Sequence, residues 1–127
     1  MNLVLDNNTY NVNNIFFYDA VKNTVMDDSK FIRIIYSDEN IILNGLYLKI
    51  LLKDGEIDRA SEFVDNIENN ILCKYNNTKV KITKLKDQLQ YIIKKNSVNN
   101  MIILKISGIW ETDNLIGLTY KYILETS

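Results

Sequence analysis

Residues 104–122, LKISGIWETDNLIGLTYKY, decide how the chain is read. Two runs that alternate apolar and polar residues flank Glu111-Thr-Asp-Asn114. A four-residue loop of that chemistry joins antiparallel strands around a type I turn. The spacing predicts strands over residues 101–110 and 115–124. Unbroken alternation would put Ile102, Leu104, Ile106, Gly108 and Trp110 on one face of the first strand. On the second it separates Ile116, Leu118, Tyr120, Tyr122 and Leu124, which suit a core, from Leu115, Gly117, Thr119, Lys121 and Ile123. Trp110 ends the first strand beside the loop. There an indole either caps a core, the favoured explanation, or offers a surface on which a base stacks.

Upstream of this hairpin the period changes twice. Residues 31–37, Phe-Ile-Arg-Ile-Ile-Tyr-Ser, are β-branched and aromatic and read as a strand. One face would carry Ile32, Ile34 and Tyr36, the other Phe31, Arg33 and Ile35. Apolar residues on both suggest a sheet covered in part on both sides. Asp38-Glu-Asn40 makes a turn into a long strand over 41–52, in which Gly45 marks a bulge or a close backbone approach. A further short strand is expected over 15–21. Lys53-Asp-Gly55 stops the long strand. Then Ile57, Ala60, Val64, Ile67 and Ile71 form a helical stripe, with Asp58, Glu62, Asp65 and Glu68 on a solvated acidic side. That helix should end over 73–77. A second helix is expected over 84–95, with Thr83 as its N-cap and Leu85, Leu89, Ile92 and Ile93 as its stripe. The order is β-β-β-α-α-β-β: an α+β fold, either a five-stranded antiparallel sheet or a partly open barrel like that of oligonucleotide-binding domains.

The chain has 127 residues, enough for one domain spanning 1–127, with residues 1–30 partly irregular. With no His, it lacks imidazole acid–base catalysis and imidazole metal ligands. Each glycine stands alone, so no phosphate loop or dinucleotide fingerprint is present. The carboxylate pairs Asp27-Asp28 and Asp38-Glu39 fall in turns, where backbone chemistry explains them. The expectation is therefore a protein without catalysis and without cofactor or metal. The lone Cys73 fits a reducing compartment. No basic, apolar start marks secretion, and no apolar run reaches the ~20 residues needed to span a bilayer.

A net charge of −1 hides an uneven distribution. Residues 54–68 are acidic, with only Arg59 opposing. Residues 74–95 are basic, with only Asp87 opposing. A basic segment can follow a phosphate backbone, although two solvated faces would look the same. The candidate phosphate contacts are Lys79, Lys81, Lys84, Lys86, Lys105 and Lys121. The candidate stacking residues are Trp110, Tyr120 and Tyr122, the tyrosines falling on the probable core face.

Residues 31–37 (FIRIIYS), 43–47 (LNGLY), 105–111 (KISGIWE) and 117–122 (GLTYKY) resemble small uncharacterised proteins of large nucleocytoplasmic DNA viruses. The resemblance covers residues 23–123 and carries no assigned chemistry, so it transfers no functional residue. It implies a protein of the host cytoplasm, in the virus factory, or of the virion. The last hairpin is also similar to the end of phage-type single-strand DNA-binding proteins. Those finish in an acidic tail, a pattern from which Leu124-Glu-Thr-Ser127 departs. Two functions follow as expectations. One is a module that binds single-stranded nucleic acid. The other is a structural or assembly protein of the virion, acting through another viral protein or through self-association.

Overall fold

The computed structural model describes residues 4–6, 8–25, 28–52, 57–98 and 100–124. The expected strand stop at 53–55, the Asp27 carboxyl and the two ends of the chain, 1–3 and 125–127, lie outside the described residues. The architecture is α+β: two helices on an open, mostly antiparallel sheet. Its strands are β1 (Ile15–Phe17), β2 (Val21–Lys22), β3 (Lys30–Ser37), β4 (Ile42–Asn44), β5 (Leu46–Leu51), β6 (Val80–Ile82), β7 (Met101–Glu111) and β8 (Leu115–Leu124). The helices are α1 (Ile57–Tyr75) and α2 (Leu85–Asn96). The described sheet thus has eight strands where five were expected. Of the three additional strands, one is β6, three residues long and too short to show a period, and one arises because the expected strand over 15–21 is two short strands, β1 and β2. The third arises because the expected long strand over 41–52 divides at Gly45.

That division shapes the sheet. Gly45 has φ +88°, a left-handed conformation that a side chain would strain. The chain turns there, so that β4 pairs with β3 while β5 crosses to pair with β7. Strand β7 is shared: Met101–Ile106 pairs with β5, and Gly108–Glu111 pairs with β3. Where the partner changes, the register of β7 with β8 shifts between Ile106 and Gly108. Ser107 is the extra residue of a β-bulge, and every side chain beyond it moves to the other face. This overturns the alternation expected for the hairpin. Ile109, not Trp110, continues the buried row of Ile102, Leu104 and Ile106. Gly108 and Trp110 turn to the opposite face.

Strand β6 closes one edge by pairing in parallel with β8, a departure from the all-antiparallel expectation. The core lies between one sheet face and the helices. Ile15, Ile32, Ile34, Tyr36, Leu46, Leu48 and Ile50 meet Val64, Ile67, Ile71, Leu72, Leu85 and Leu89. The expected core face of β8 is observed, with Ile116 and Leu118 buried and Tyr120, Tyr122 and Leu124 packed against the cluster.

Two polar details of the helices differ from expectation. Glu68 is not solvated but 1% exposed. Its carboxylate accepts from the backbone N–H of Lys84 at 3.0 Å and of Leu85 at 3.1 Å. It thereby caps α2 from a neighbouring helix, the role expected of Thr83. Lys84 takes the N-cap position and supplies no side-chain cap. Helix α2 ends where Ser97 takes a left-handed conformation, φ 52°.

Candidate nucleic-acid interface on the open sheet face

Both helices lie against the same sheet face. Tyr75 of α1 donates a hydrogen bond to Glu111 and makes an edge contact with Phe17. The Tyr122 hydroxyl donates to the Leu85 carbonyl of α2 at 2.7 Å. Among the described residues the other face therefore carries no helix, against the expectation of cover on both sides. Its strand residues include Phe31 and Arg33 of β3, Tyr47 and Lys49 of β5, Ile103, Lys105 and Trp110 of β7, and Thr119 and Lys121 of β8. Register places them in rows: Trp110 pairs with both Phe31 and Gly117, Gly108 with Arg33 and Thr119, and Lys105 with Tyr47 and Lys121.

The aromatic rings rest on glycines. A methyl group at position 117 would stand 2.5 Å from Cζ2 and 2.7 Å from Nε1 of Trp110. One at position 108 would stand 2.8 Å from Cε1 and Cζ of Phe31, and would also strike the Ile32 carbonyl oxygen. Each ring thus leans across the neighbouring strand into the space a side chain would take: Phe31 from β3 onto β7, Trp110 from β7 onto β8. Both rings stay half-buried. Clefts run along this face. One of about 570 Å³ is walled by Trp110, Phe31, Thr119 and residues 21–25. Two more continue past Phe31 to Arg33, Asn44, Lys105 and Ser107. Phe31 lines all three.

The charge of this face has one sign. Its described strand residues carry Arg33, Lys49, Lys105 and Lys121 and no carboxylate, whereas Glu111, its cross-strand partner Lys30, and Lys22 and Lys81 register with the helix side. Asp19, in the turn after β1, is the one carboxylate among the described residues that line the three clefts. At the far end, Lys49 lies close enough to Asp6 to help lower that carboxyl's pKa, after the backbone N–H groups of Asn8 and Thr9. Lys105 and Lys121 are directly opposed across β7 and β8. Like charges so placed repel, and in a sheet that arrangement is destabilising unless an anion comes between them. The Lys105 ammonium lies 5.6 Å from the Tyr47 ring centroid, a cation–π contact on the same row.

The structure thus brings together three of the residues expected from sequence: Lys105, Trp110 and Lys121. It separates the others. Lys79 sits 2.9 Å from Glu111 and donates to the Thr112 carbonyl at 2.7 Å. Burial works against the Glu111 carboxylate. Hydrogen bonds from Lys79 and Tyr75, with the charges of Lys79 and Lys30, still hold its pKa below the usual value. Burial, followed by that same carboxylate, pushes the Tyr75 phenol up to about 12. Lys81 belongs to the edge strand β6. Lys84 and Lys86 project from the start of α2. Tyr120 and Tyr122 face the helices in an edge-to-face pair, and burial raises the pKa of both. They are core residues rather than stacking platforms. Phe31, Arg33 and Tyr47 were missed as site residues. The signal for two of them was the second face of residues 31–37, where an arginine alternates with a phenylalanine.

Among the described residues no helix is long and apolar enough to cross a membrane. No family model matches the chain, no curated protein is similar to it, and no solved structure matches its fold.

Proposed function

We propose that the chain is a non-catalytic binding module that takes single-stranded nucleic acid on the open face of its sheet, in the manner of oligonucleotide-binding barrels. One observation carries the reading. Lys105 and Lys121 face each other on a sheet face whose strand residues include no carboxylate, beside Phe31 and Trp110 laid on glycines. Phosphate would relieve the lysine repulsion, and exposed base faces would stack on the rings at roughly 1–3 kcal/mol each. The passage of the chain at Gly45 from pairing with β3 to pairing with β7 supports the likeness to such a barrel. The resemblance to proteins of large DNA viruses extends the proposal to a place in the virus factory or the particle.

The test is the intrinsic fluorescence of Trp110 titrated with an unlabelled oligonucleotide. Quenching is expected at low salt and should fade as salt rises. The Lys105→Ala/Lys121→Ala protein should lower the slope of log affinity against log salt by about 1.4, two phosphate contacts at the single-strand value. Absence of quenching at low salt would remove the reading, and an unchanged slope would remove the lysines from it. Trp110→Ala should abolish most binding of a labelled oligonucleotide. Its stability cost should fall below the ~3–5 kcal/mol of a fully buried indole, because the ring lies outside the core.

The second reading is assembly of the virion through protein contacts. It rests on Phe16, 54% exposed, and Ile42, 76% exposed, at the β1 and β4 end of the same face. Recovery of the protein in purified particles, with no affinity for oligonucleotides, would move this reading ahead.

A further inference from the structure

The two rings have a spacing, and the spacing selects a kind of strand. Phe31 and Trp110 are register partners on β3 and β7, yet each ring is displaced one strand onward. The ring sites are therefore those of Gly108 and Gly117. These two glycines are diagonal neighbours across β7 and β8, because Gly108 pairs with Thr119 and Gly117 with Trp110. Diagonal neighbours of an antiparallel pair lie roughly 7–8 Å apart. Bases in a stacked strand follow one another at about 3.4 Å. A stacked strand that covers one ring thus cannot place its next base on the other.

The cations fix the side on which the backbone would run. Arg33 stands two residues beyond Phe31, in the row of Gly108 and Thr119. Lys105 and Lys121 form the next lateral row on this face. Arg33 flanks the Phe31 ring site in the Gly108 row, and the lysines follow on the side away from the Trp110–Gly117 row, so a backbone crossing the strands beside the rings would meet all three. Thr119 adds a hydroxyl between the two rows. No strand residue on this path is acidic.

On the nucleic-acid reading, which it presupposes, we propose that this face takes an extended strand whose consecutive bases are unstacked from each other. One base lies on Phe31 and the next on Trp110, with the phosphates toward Arg33, Lys105 and Lys121. The ligand class is then a flexible pyrimidine tract. A purine tract must first give up its own stacking, and a duplex offers no free base faces. Stacking strength and backbone flexibility, rather than hydrogen bonding to base edges, set the preference.

The experiment is fluorescence anisotropy at low salt with three labelled probes: an oligodeoxythymidylate, an oligodeoxyadenylate of the same length, and a hairpin duplex. The thymidylate is expected to bind about tenfold more tightly than the adenylate, and the duplex more weakly than either. Phe31→Leu keeps an apolar cover over Gly108 while removing the aromatic face. It should weaken thymidylate binding by about five- to hundredfold, the stacking of one base, and bring the two single strands toward equal affinity. Thermal unfolding of the same variant separates lost stacking from lost folding. Equal affinity for the two single strands, duplex binding as tight as single-strand binding, or no effect of Phe31→Leu in a folded protein would each overturn the proposal, with the nucleic-acid reading intact. No binding of any probe would overturn both.

Discussion

Gly108→Val should prevent the chain from folding to a stable native state, and Gly108→Ala should already lower its melting temperature sharply. The first atom of any side chain at this position meets the Ile32 carbonyl oxygen and the Phe31 ring together. A ring can swing aside at modest cost. A carbonyl in the β3–β7 ladder cannot move without breaking the pairing of Ile32 with Ile109 and Arg33 with Gly108. Overpacking of a well-filled site costs roughly 1–3 kcal/mol and sometimes more. Here the obstacle is backbone and the added group is β-branched, so the upper end or beyond is expected, against a total of ~5–15 kcal/mol for a typical domain. Gly117→Ala is the internal comparison. The atoms nearest its added methyl all belong to the Trp110 indole, a side chain that can rotate. That variant should remain folded while its tryptophan fluorescence shifts. Urea unfolding of the three proteins checks the order: Gly108→Val least stable, then Gly108→Ala, then Gly117→Ala. A Gly108→Val protein with wild-type unfolding would show that β3 does not pass this close to β7.

The same glycine shows where sequence reading reached and where it stopped. The strands over 31–37, 101–110 and 115–124, both helices and the break at Gly45 were legible because each rests on a local period or a local stop signal. The face of Trp110 was not. It depends on a bulge at Ser107, and the bulge exists because β7 exchanges β5 for β3 as its partner at that point. Alternation within one strand contains no trace of a partner change sixty or more residues away in sequence. Lys105 and Lys121 were expected on the hairpin, and their direct opposition followed from register that only pairing reveals. The basic segment over 74–95 was legible as composition but dispersed in space, with Lys79 consumed by Glu111 and Lys84 and Lys86 on a helix.

Glu68 is the clearest case of a residue whose role is set from outside its own helix, and its replacement should be the second large effect. Helical spacing groups it with Asp58, Glu62 and Asp65, and three of these four are on the wetter side of α1. The start of α2 covers the fourth and turns two backbone N–H groups toward its carboxylate. Glu68→Ala orphans both donors, each at about 1–3 kcal/mol when buried, and leaves a void beside Leu85. A loss of several kcal/mol is expected, with fraying that begins at α2. Glu68→Gln keeps one oxygen for the two donors and should cost less. The two variants also separate shape from charge. Burial raises the Glu68 pKa above the ordinary carboxylate value, against the two backbone hydrogen bonds that lower it, and the charges of Asp65 and Asp87 raise it further. The folded state therefore holds this proton more tightly than the unfolded chain does. Its contribution to stability is fully present below the ordinary glutamate value and is lost as pH rises through the raised one. Wild type should gain on Glu68→Gln as pH falls from neutrality into that window, and the gain should level off below it. Urea midpoints of the two proteins measured across that range check the sign. A difference that is constant with pH would mean that the carboxylate is as well solvated by its two N–H donors as it would be by water.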